Sequence, residues 1–335
     1  MRVRLLPILL GLIAAAGAEA RPPIIDMHIH ARRAGFDGSN APGLCAPPMT
    51  MPRWDNSRPI GEGLSPDPPC AAPLMPSRTA DAVMRDTLAV MARRNVIAMV
   101  SGEPESVALW RAAAPERVIA GLDLRIRPGG RLPGRSPDEL RRLHAAGRFT
   151  VLGEMMIQYE GIAPGDPALE PYWALAEELD IPVGIHLGPG TAGSAYDGSP
   201  HYRAAASSAL TMEEVLIRHP RLRVYLMHAG YPLIDDLLAL LYAHPQVYVD
   251  IAAIVGTEPR AAFYHYLERI VEAGFGDRIM FGTDQGIWPE LIELSIRAIE
   301  DAPFLTATQK RDILYNNAAR FLRLTPAQIA RHNAM

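Results

Sequence analysis

Residues 24–30 read IIDMHIH, an apolar run that finishes in two histidines one residue apart. Successive side chains on a strand point to opposite faces, so His28 and His30 share a face, with α-carbons roughly 6.5–7 Å apart. Strict alternation puts Asp26 on that face too, as an orienting or structural group. Two inward imidazoles that close can hold one cation through bonds of about 2.1 Å. A His-x-His pair also arises by accident, so its weight depends on what the rest of the chain brings beside it.

Seven further runs have the same character: VIAMVSG (96–102), RVIAGLDLR (117–125), FTVLGEMMIQY (149–159), IPVGIHL (181–187), LRVYLMHAG (222–230), QVYVDIAA (246–253) and RIMFGTD (278–284). They are nearly continuous apolar stretches rather than alternations, as expected of parallel strands covered on both sides. Helical patterns lie between them, including ADAVMRDTLAVMARRN, SPDELRRLHAAG and EPYWALAEELD. Ser136, Pro137 and Glu139 predict a helix start with a reciprocal capping box, and Asn95 and Gly147 predict stops. Eight βα units predict an α/β fold of the (β/α)8 barrel type. The runner-up is a doubly wound open sheet, and no Gly-rich phosphate loop follows the first strand to support a dinucleotide-binding version.

Polar groups gather at the ends of these runs. Of ten histidines, His28, His30, His186 and His228 fall at strand ends, joined by Glu154 in LGEMM and Asp284 in FGTD. In a parallel barrel the C-terminal strand ends converge on one mouth, where imidazoles and carboxylates together make a divalent-metal site. A purely structural explanation needs six separate coincidences. His219 and His244 each precede proline at a predicted helix end, where imidazole suits the C-terminus. His144 and His265 read as helix residues, and His332 belongs to the tail. His201, Tyr159, Gln158 and Arg125 follow strands at the presumed mouth and are weaker candidates for substrate contact.

Residues 31–77 interrupt the barrel pattern with ten prolines between Pro42 and Pro76 and with both cysteines, Cys45 and Cys70. Such a stretch is neither helix nor central strand. It leaves the first strand beside His30, so it is either a lid over the mouth or a surface insertion. A disulfide across 25 residues contributes roughly 3–3.5 kcal/mol in the entropic view. Free or metal-bound thiols are the alternatives, although no CxxC spacing supports the latter.

Residues 1–20 read as a signal peptide: basic MRVR, the apolar LLPILLGLIAAAG, and a small-residue cleavage site ending at Ala20. This predicts a periplasmic or secreted protein, residues 21–335 as a single barrel domain, and no stable membrane anchor after cleavage. Removing Arg2, Arg4 and Glu19 leaves 31 basic and 36 acidic side chains. Nothing in this balance predicts a nucleic-acid partner. A small-molecule substrate is expected, and a homo-oligomer is possible.

DMHIH, Gly153-Glu154, Ile185-His186, MHAG (227–230), GTD (282–284) and NNAARFL (316–322) together resemble the amidohydrolase superfamily. The similarity covers residues 24 to about 323. It is nearest the amidohydrolase-related branch, which also holds decarboxylases of unsaturated or aromatic acids. The resemblance implies a metal-dependent barrel with His28, His30, His186 and Asp284 as ligands, and His228 as a further ligand or catalytic base. Many members bridge two metals through a carboxylated lysine, whereas the one lysine here, Lys310, lies far outside the strands. Glu154 occupies the bridging position instead, which implies one or two divalent ions. Zinc suits the donor set best, with manganese or iron open.

The expected activity is hydrolysis of a carbonyl compound, ester, lactone or amide by a metal-activated water, with Asp284 and His228 catalytic. Metal-dependent non-oxidative decarboxylation uses the same donors and is the alternative. A periplasmic binding protein is a third reading, set against the single-barrel pattern.

Overall fold

The computed structural model describes residues 21–65, 70–126, 130 and 133–335. The expected signal peptide, residues 1–20, lies outside the described residues. Ten strands occur among those described: β1 (Ile24–His30), β2 (Arg53–Trp54), β3 (Leu64–Ser65), β4 (Val96–Ser101), β5 (Val118–Arg125), β6 (Val151–Met156), β7 (Val183–His186), β8 (Val224–Met227), β9 (Tyr248–Asp250) and β10 (Ile279–Met280). Eight form one parallel sheet in the order β1-β4-β5-β6-β7-β8-β9-β10. The sheet closes on itself. Met27 donates to the Phe281 carbonyl, Asp284 to that of His28 and His30 to that of Gln285, at 2.9, 2.8 and 3.0 Å. The result is a (β/α)8 barrel, as the spacing of apolar runs predicts.

Several strands are shorter than their apolar runs. QVYVDIAA contributes only Tyr248–Asp250, RIMFGTD only Ile279–Met280, and FTVLGEMMIQY ends at Met156 before a 3-10 turn at Gln158–Glu160. The residues past these ends leave the regular ladder to build the mouth, where turns aim side chains that a continuing strand would send outward.

Two cores follow from strand faces. Ile24, Ile29, Val96, Ala98 and Val100 pack outward against helix residues such as Val83, Met91 and Trp110. Ile25, Met27, Ile97, Met99, Val151, Tyr225, Met227 and Met280 fill the interior, and Tyr315, Ala318 and Phe321 from the C-terminal helices close its floor. The chain end docks there as well. His332, expected only as tail, is buried and lies 3.0 Å from the Tyr315 hydroxyl through Nδ1.

Local signals hold with one exception. Thr79 caps the helix Ala80–Arg94, and Asn95 stops it in the left-handed region at φ 52°. Ser136 accepts from the Glu139 amide at 3.2 Å, but the Glu139 carboxylate turns to Arg135 instead of returning to Ser136. The capping box is therefore half made, because a guanidinium outbids a backbone amide for a carboxylate.

The proline-rich segment is a strap. Cys45 and Cys70 are joined, with α-carbons 5.6 Å apart. Leu44 and Leu74 exchange both backbone hydrogen bonds, at 2.9 and 2.8 Å. The Trp288 indole binds the Pro42 carbonyl at 3.1 Å. Further out, Trp54 lies against Tyr196 with ring centroids 5.2 Å apart, and Ile60 rests on Gly193. Those contacts belong to the connection after β7, the fifth of eight strands, whereas the strap leaves the first. Strands one and five are diametrically opposed in an eight-stranded barrel, so the short route between them crosses the mouth. Among the described residues no helix is long and apolar enough to cross a membrane.

Candidate metal centre

Two bulges shape the mouth. One adds a residue between Asp26 and Ile29 on β1, and the other adds a residue between Leu152 and Met155 on β6, shifting its register against both β5 and β7. A bulge inserts an unpaired residue and re-aims its neighbours. On β1 it puts Met27 and His28 side by side on the inner face. Asp26, between inward Ile25 and Met27, turns the other way. The expectation that Asp26 shares the face of His28 fails for this reason. Its carboxylate accepts instead from the amides of His28 and Thr283 (3.0 and 3.1 Å) and from the Thr283 hydroxyl (2.7 Å). Burial pushes this carboxyl up to about 7 against those hydrogen bonds. Asp26 thus fastens β1 to the segment that carries Asp284.

The structure brings all six predicted residues together, in two lobes that share Glu154. In the first, His28 Nε2 and His30 Nε2 stand 3.2 Å apart. Glu154 Oε2 lies 3.6 and 3.4 Å from them, and Asp284 Oδ1 lies 3.6 and 3.0 Å from them. Donors about 2.1 Å from a tetrahedral cation stand roughly 3.4 Å apart. Five edges of such a tetrahedron are therefore in place. In the second lobe His186 Nδ1 is 2.5 Å from Glu154 Oε1 and 3.0 Å from His228 Nε2, and the latter is 3.4 Å from Glu154 Oε1. The resemblance groups His186 with His28, His30 and Asp284; the observed geometry groups it with His228 across the carboxylate.

Three of the four imidazoles are held from behind; His186 turns Nδ1 to Glu154, and its buried Nε2 has no hydrogen-bond partner among the described residues. The His228 Nδ1–H donates to the Ala252 carbonyl at 2.9 Å, which leaves Nε2 as a lone pair facing inward. Ser101 Oγ can donate to the Ile29 carbonyl at 3.4 Å and accept from His30 Nδ1 at 3.3 Å. His28 Nδ1 lies 3.3 Å from Asp250 Oδ2. Backing of this kind sets tautomer and orientation in metal-binding histidines. Lone pairs that converge repel unless a proton or a cation lies between them, and the donor set fits a divalent cation on that ground.

Charge tells the same story. Burial drives Glu154 up, but His186, His228 and His28 outweigh it and hold its carboxyl well below the usual range. Burial likewise opposes ionisation of Asp284, yet His28 and His30 bring it down to about 2. Burial lowers His28, and Asp284, Asp250 and Glu154 more than reverse this. His186 falls, through burial and the charge of His228. Several carboxylates enclosed with imidazoles require positive charge, which protons on the imidazoles or a bound cation would supply.

Backbone strain marks the same rim. His228, Ala229 and Asp284 adopt φ of 63°, 52° and 58°. A left-handed conformation costs a non-glycine residue about 1–2 kcal/mol, so the packing around the centre must hold them there.

Two cations flank the mouth. Arg32, half-buried, donates through Nε to the Gly286 carbonyl at 3.1 Å. A Cβ at Gly286 would stand 2.1 Å from its Nη2, so only glycine admits the guanidinium there. Arg125 is more exposed and pairs with Asp123 at 3.3 Å. The Tyr159 ring packs on His186 with centroids 4.9 Å apart. Gln158, by contrast, is buried and bonds the Gly188 carbonyl and Ser207, which is a structural placement. The backbone of His201 lies against Gly161.

Sequence reasoning missed Asp250, Ser101, Ala252, Asp123 and Arg32. Asp250 carried a usable signal: it is the acid in the apolar run YVDIAA at the end of a barrel strand, the rule that finds Glu154 and Asp284.

A closed parallel barrel with imidazoles and carboxylates at its C-terminal mouth defines the class of metal-site (β/α)8 proteins. The amidohydrolase family model matches residues 25–324, and the chain belongs to that family of enzymes. No curated protein matches the sequence. Solved structures are similar in fold at low identity. A 5-carboxyvanillate decarboxylase from Sphingomonas paucimobilis is 15% identical, with 90% of this chain and 99% of that one covered and a TM-score of 0.58. A probable 2-pyrone-4,6-dicarboxylic acid hydrolase from Acinetobacter baumannii, with citric acid bound, is 14% identical over 90% and 99%, at 0.57. A 4-oxalomesaconate hydratase from Rhodopseudomonas palustris is 17% identical over 93% and 99%, at 0.55.

Proposed function

We propose that this protein is a metal-dependent hydrolase of a small molecule, acting at a carbonyl, ester, lactone or amide bond. The observation that carries the reading is the bowl of His28, His30, Glu154 and Asp284, with donor atoms 3.0–3.6 Å apart along five edges and the Asp284 side chain 32% exposed. His28, His30, Glu154 and Asp284 would hold one divalent ion, and His186 and His228 with the other oxygen of Glu154 would hold a second. Zinc fits this nitrogen and oxygen set best. A bound divalent ion supplies Lewis-acid polarisation of the scissile carbonyl and makes water acidic near neutral pH.

The protein's own groups do the rest. Asp284 takes a proton from the attacking water on a carboxylate oxygen and returns it to the leaving atom. With one ion bound, His228, fixed by the Ala252 carbonyl and carrying a second hydrogen on Nε2, orients the attack and stabilises charge developing on the substrate oxygen; with two ions bound it is a ligand instead. Arg32 and Arg125 hold an anionic group of the substrate, and the strap limits water at the mouth. Purification with metal quantitation, followed by a screen of esters, lactones and acids in 18O-labelled water, tests the reading. Stoichiometric metal and label in the product support it; a protein that binds no divalent ion rejects it.

One observation favours a second reading. Two guanidinium groups at the mouth suit a carboxylate substrate, as non-oxidative decarboxylation requires. Carbon dioxide released without uptake of label identifies that reaction. We further propose residues 21–335 as one domain working outside the cytoplasm, supported by the Cys45–Cys70 bond and the apolar leader.

A further inference from the structure

We infer that Asp250 is a positioning residue that fixes the tautomer of His28 and the backbone of His228, and thereby sets the cation affinity of the centre. The inference rests on the metal-site reading above. Asp250 ends β9 and is fully buried. Its Oδ1 accepts from the amides of His228 and Ala252, at 2.9 and 3.0 Å. Its Oδ2 stands 3.3 Å from His28 Nδ1, an ion-pair contact outside hydrogen-bond alignment, and among the described residues neither atom has a hydrogen-bond partner.

A carboxylate oxygen without a hydrogen only accepts, so this contact favours the His28 tautomer with its hydrogen on Nδ1. That leaves the lone pair of His28 on Nε2, the atom that faces His30, Glu154 and Asp284. The next residues serve the second lobe. Ala253 sits at φ 57° and ψ −63°, and Ile254 donates to the Ala252 carbonyl at 2.7 Å. This is a strained γ-turn. It turns the same carbonyl toward His228 Nδ1. One short segment at the end of β9 therefore addresses ligands carried by β1 and by β8.

An isosteric amide separates this role from simple packing. In Asp250→Asn the amide oxygen keeps the two backbone hydrogen bonds, and the NH2 group faces His28 Nδ1. His28 must then accept there and carry its hydrogen on Nε2, which removes one donor from the bowl. The metal-free variant should melt within a few degrees of the metal-free parent. Its zinc affinity, measured by competition with a chromophoric chelator, should fall about 10- to 100-fold. Asp250→Ala, which loses the backbone bonds too, should lower both affinity and melting temperature. Independently of any variant's folding, 15N NMR of histidine-labelled parent protein should show Nδ1–H on His28. Zinc affinity in Asp250→Asn within threefold of the parent overturns the inference, as does a His28 without a hydrogen on Nδ1 in the parent. A parent that binds no zinc, manganese or iron overturns the metal-site reading instead.

Discussion

At the floor of the barrel, Ile25, Met27, Ile97, Met99 and Tyr225 meet Tyr315 and Phe321 in an apolar plug. At the mouth, a few residues further along the same strands, His28, Glu154, His186, His228 and Asp250 are buried just as deeply. The floor is regular in register, and its left-handed residues, Asn95, Asp180 and Arg323, sit where helices end. The mouth holds the bulges of β1 and β6 and the left-handed residues His228, Ala229 and Asp284. Apolar contact at the floor stabilises the fold, and it offsets the desolvation and strain that the mouth imposes.

Replacing Asp284 by Asn should break the comparison most sharply. It removes the proposed proton carrier at the mouth while leaving the floor untouched. Turnover of any substrate found should fall about 10³-fold, within the range for a lost general acid–base group, with the melting temperature nearly unchanged. Full activity would remove Asp284 from the mechanism.

Cation removal should be the next largest effect. A ligand present at 1,000 times its dissociation constant stabilises the native state by about 4 kcal/mol. A chelator should therefore lower the melting temperature, and added zinc should restore it. Identical melting curves with and without chelator would mean that the mouth is held by protons alone.

Met27→Ala is the matching test at the floor. Met27 is fully buried, and its carbonyl accepts from the Tyr225 hydroxyl at 3.2 Å. Truncation in a closely packed interior costs roughly 2–5 kcal/mol, or about 3 kcal/mol at a typical site. Stability measured in denaturant should drop by that amount while zinc affinity holds within a few-fold. Loss of affinity equal to the loss of stability would show that floor and mouth are one cooperative unit.

The same contrast explains what could be read in advance. The floor follows from composition: eight apolar runs at regular spacing have few folds available besides a closed parallel sheet. His28, His30, Glu154, His186, His228 and Asp284 could be picked out because imidazole or carboxylate at the end of an apolar run is conspicuous. Their division into two lobes could not, since it depends on bulges that no period-two pattern reveals. The same one-residue slip on β1 turns Asp26 away from the bowl. Asp250 was visible as an acid at a strand end, but its service to two ligands depends on a turn at Ala253 that no residue type announces.

The strap sharpens the comparison from outside the barrel, and its expected effect is the smallest. In the entropic view a 25-residue disulfide loop contributes at most about 3.5 kcal/mol, provided the strap stays docked once the bond is gone. Its docking, however, rests on a few half-exposed contacts, among them Trp54 on Tyr196 and Ile60 on Gly193. With both cysteines changed to serine, the native strap should fray and regain most of the entropy that the bond removes from the unfolded chain. The global melting temperature should then fall by only about 1–3 °C, well short of the entropic limit, because local opening costs less than global unfolding. Limited proteolysis should cut within residues 44–74 of the variant and spare the parent. Resistance equal to the parent would show that packing, and not the bond, holds the strap across the mouth.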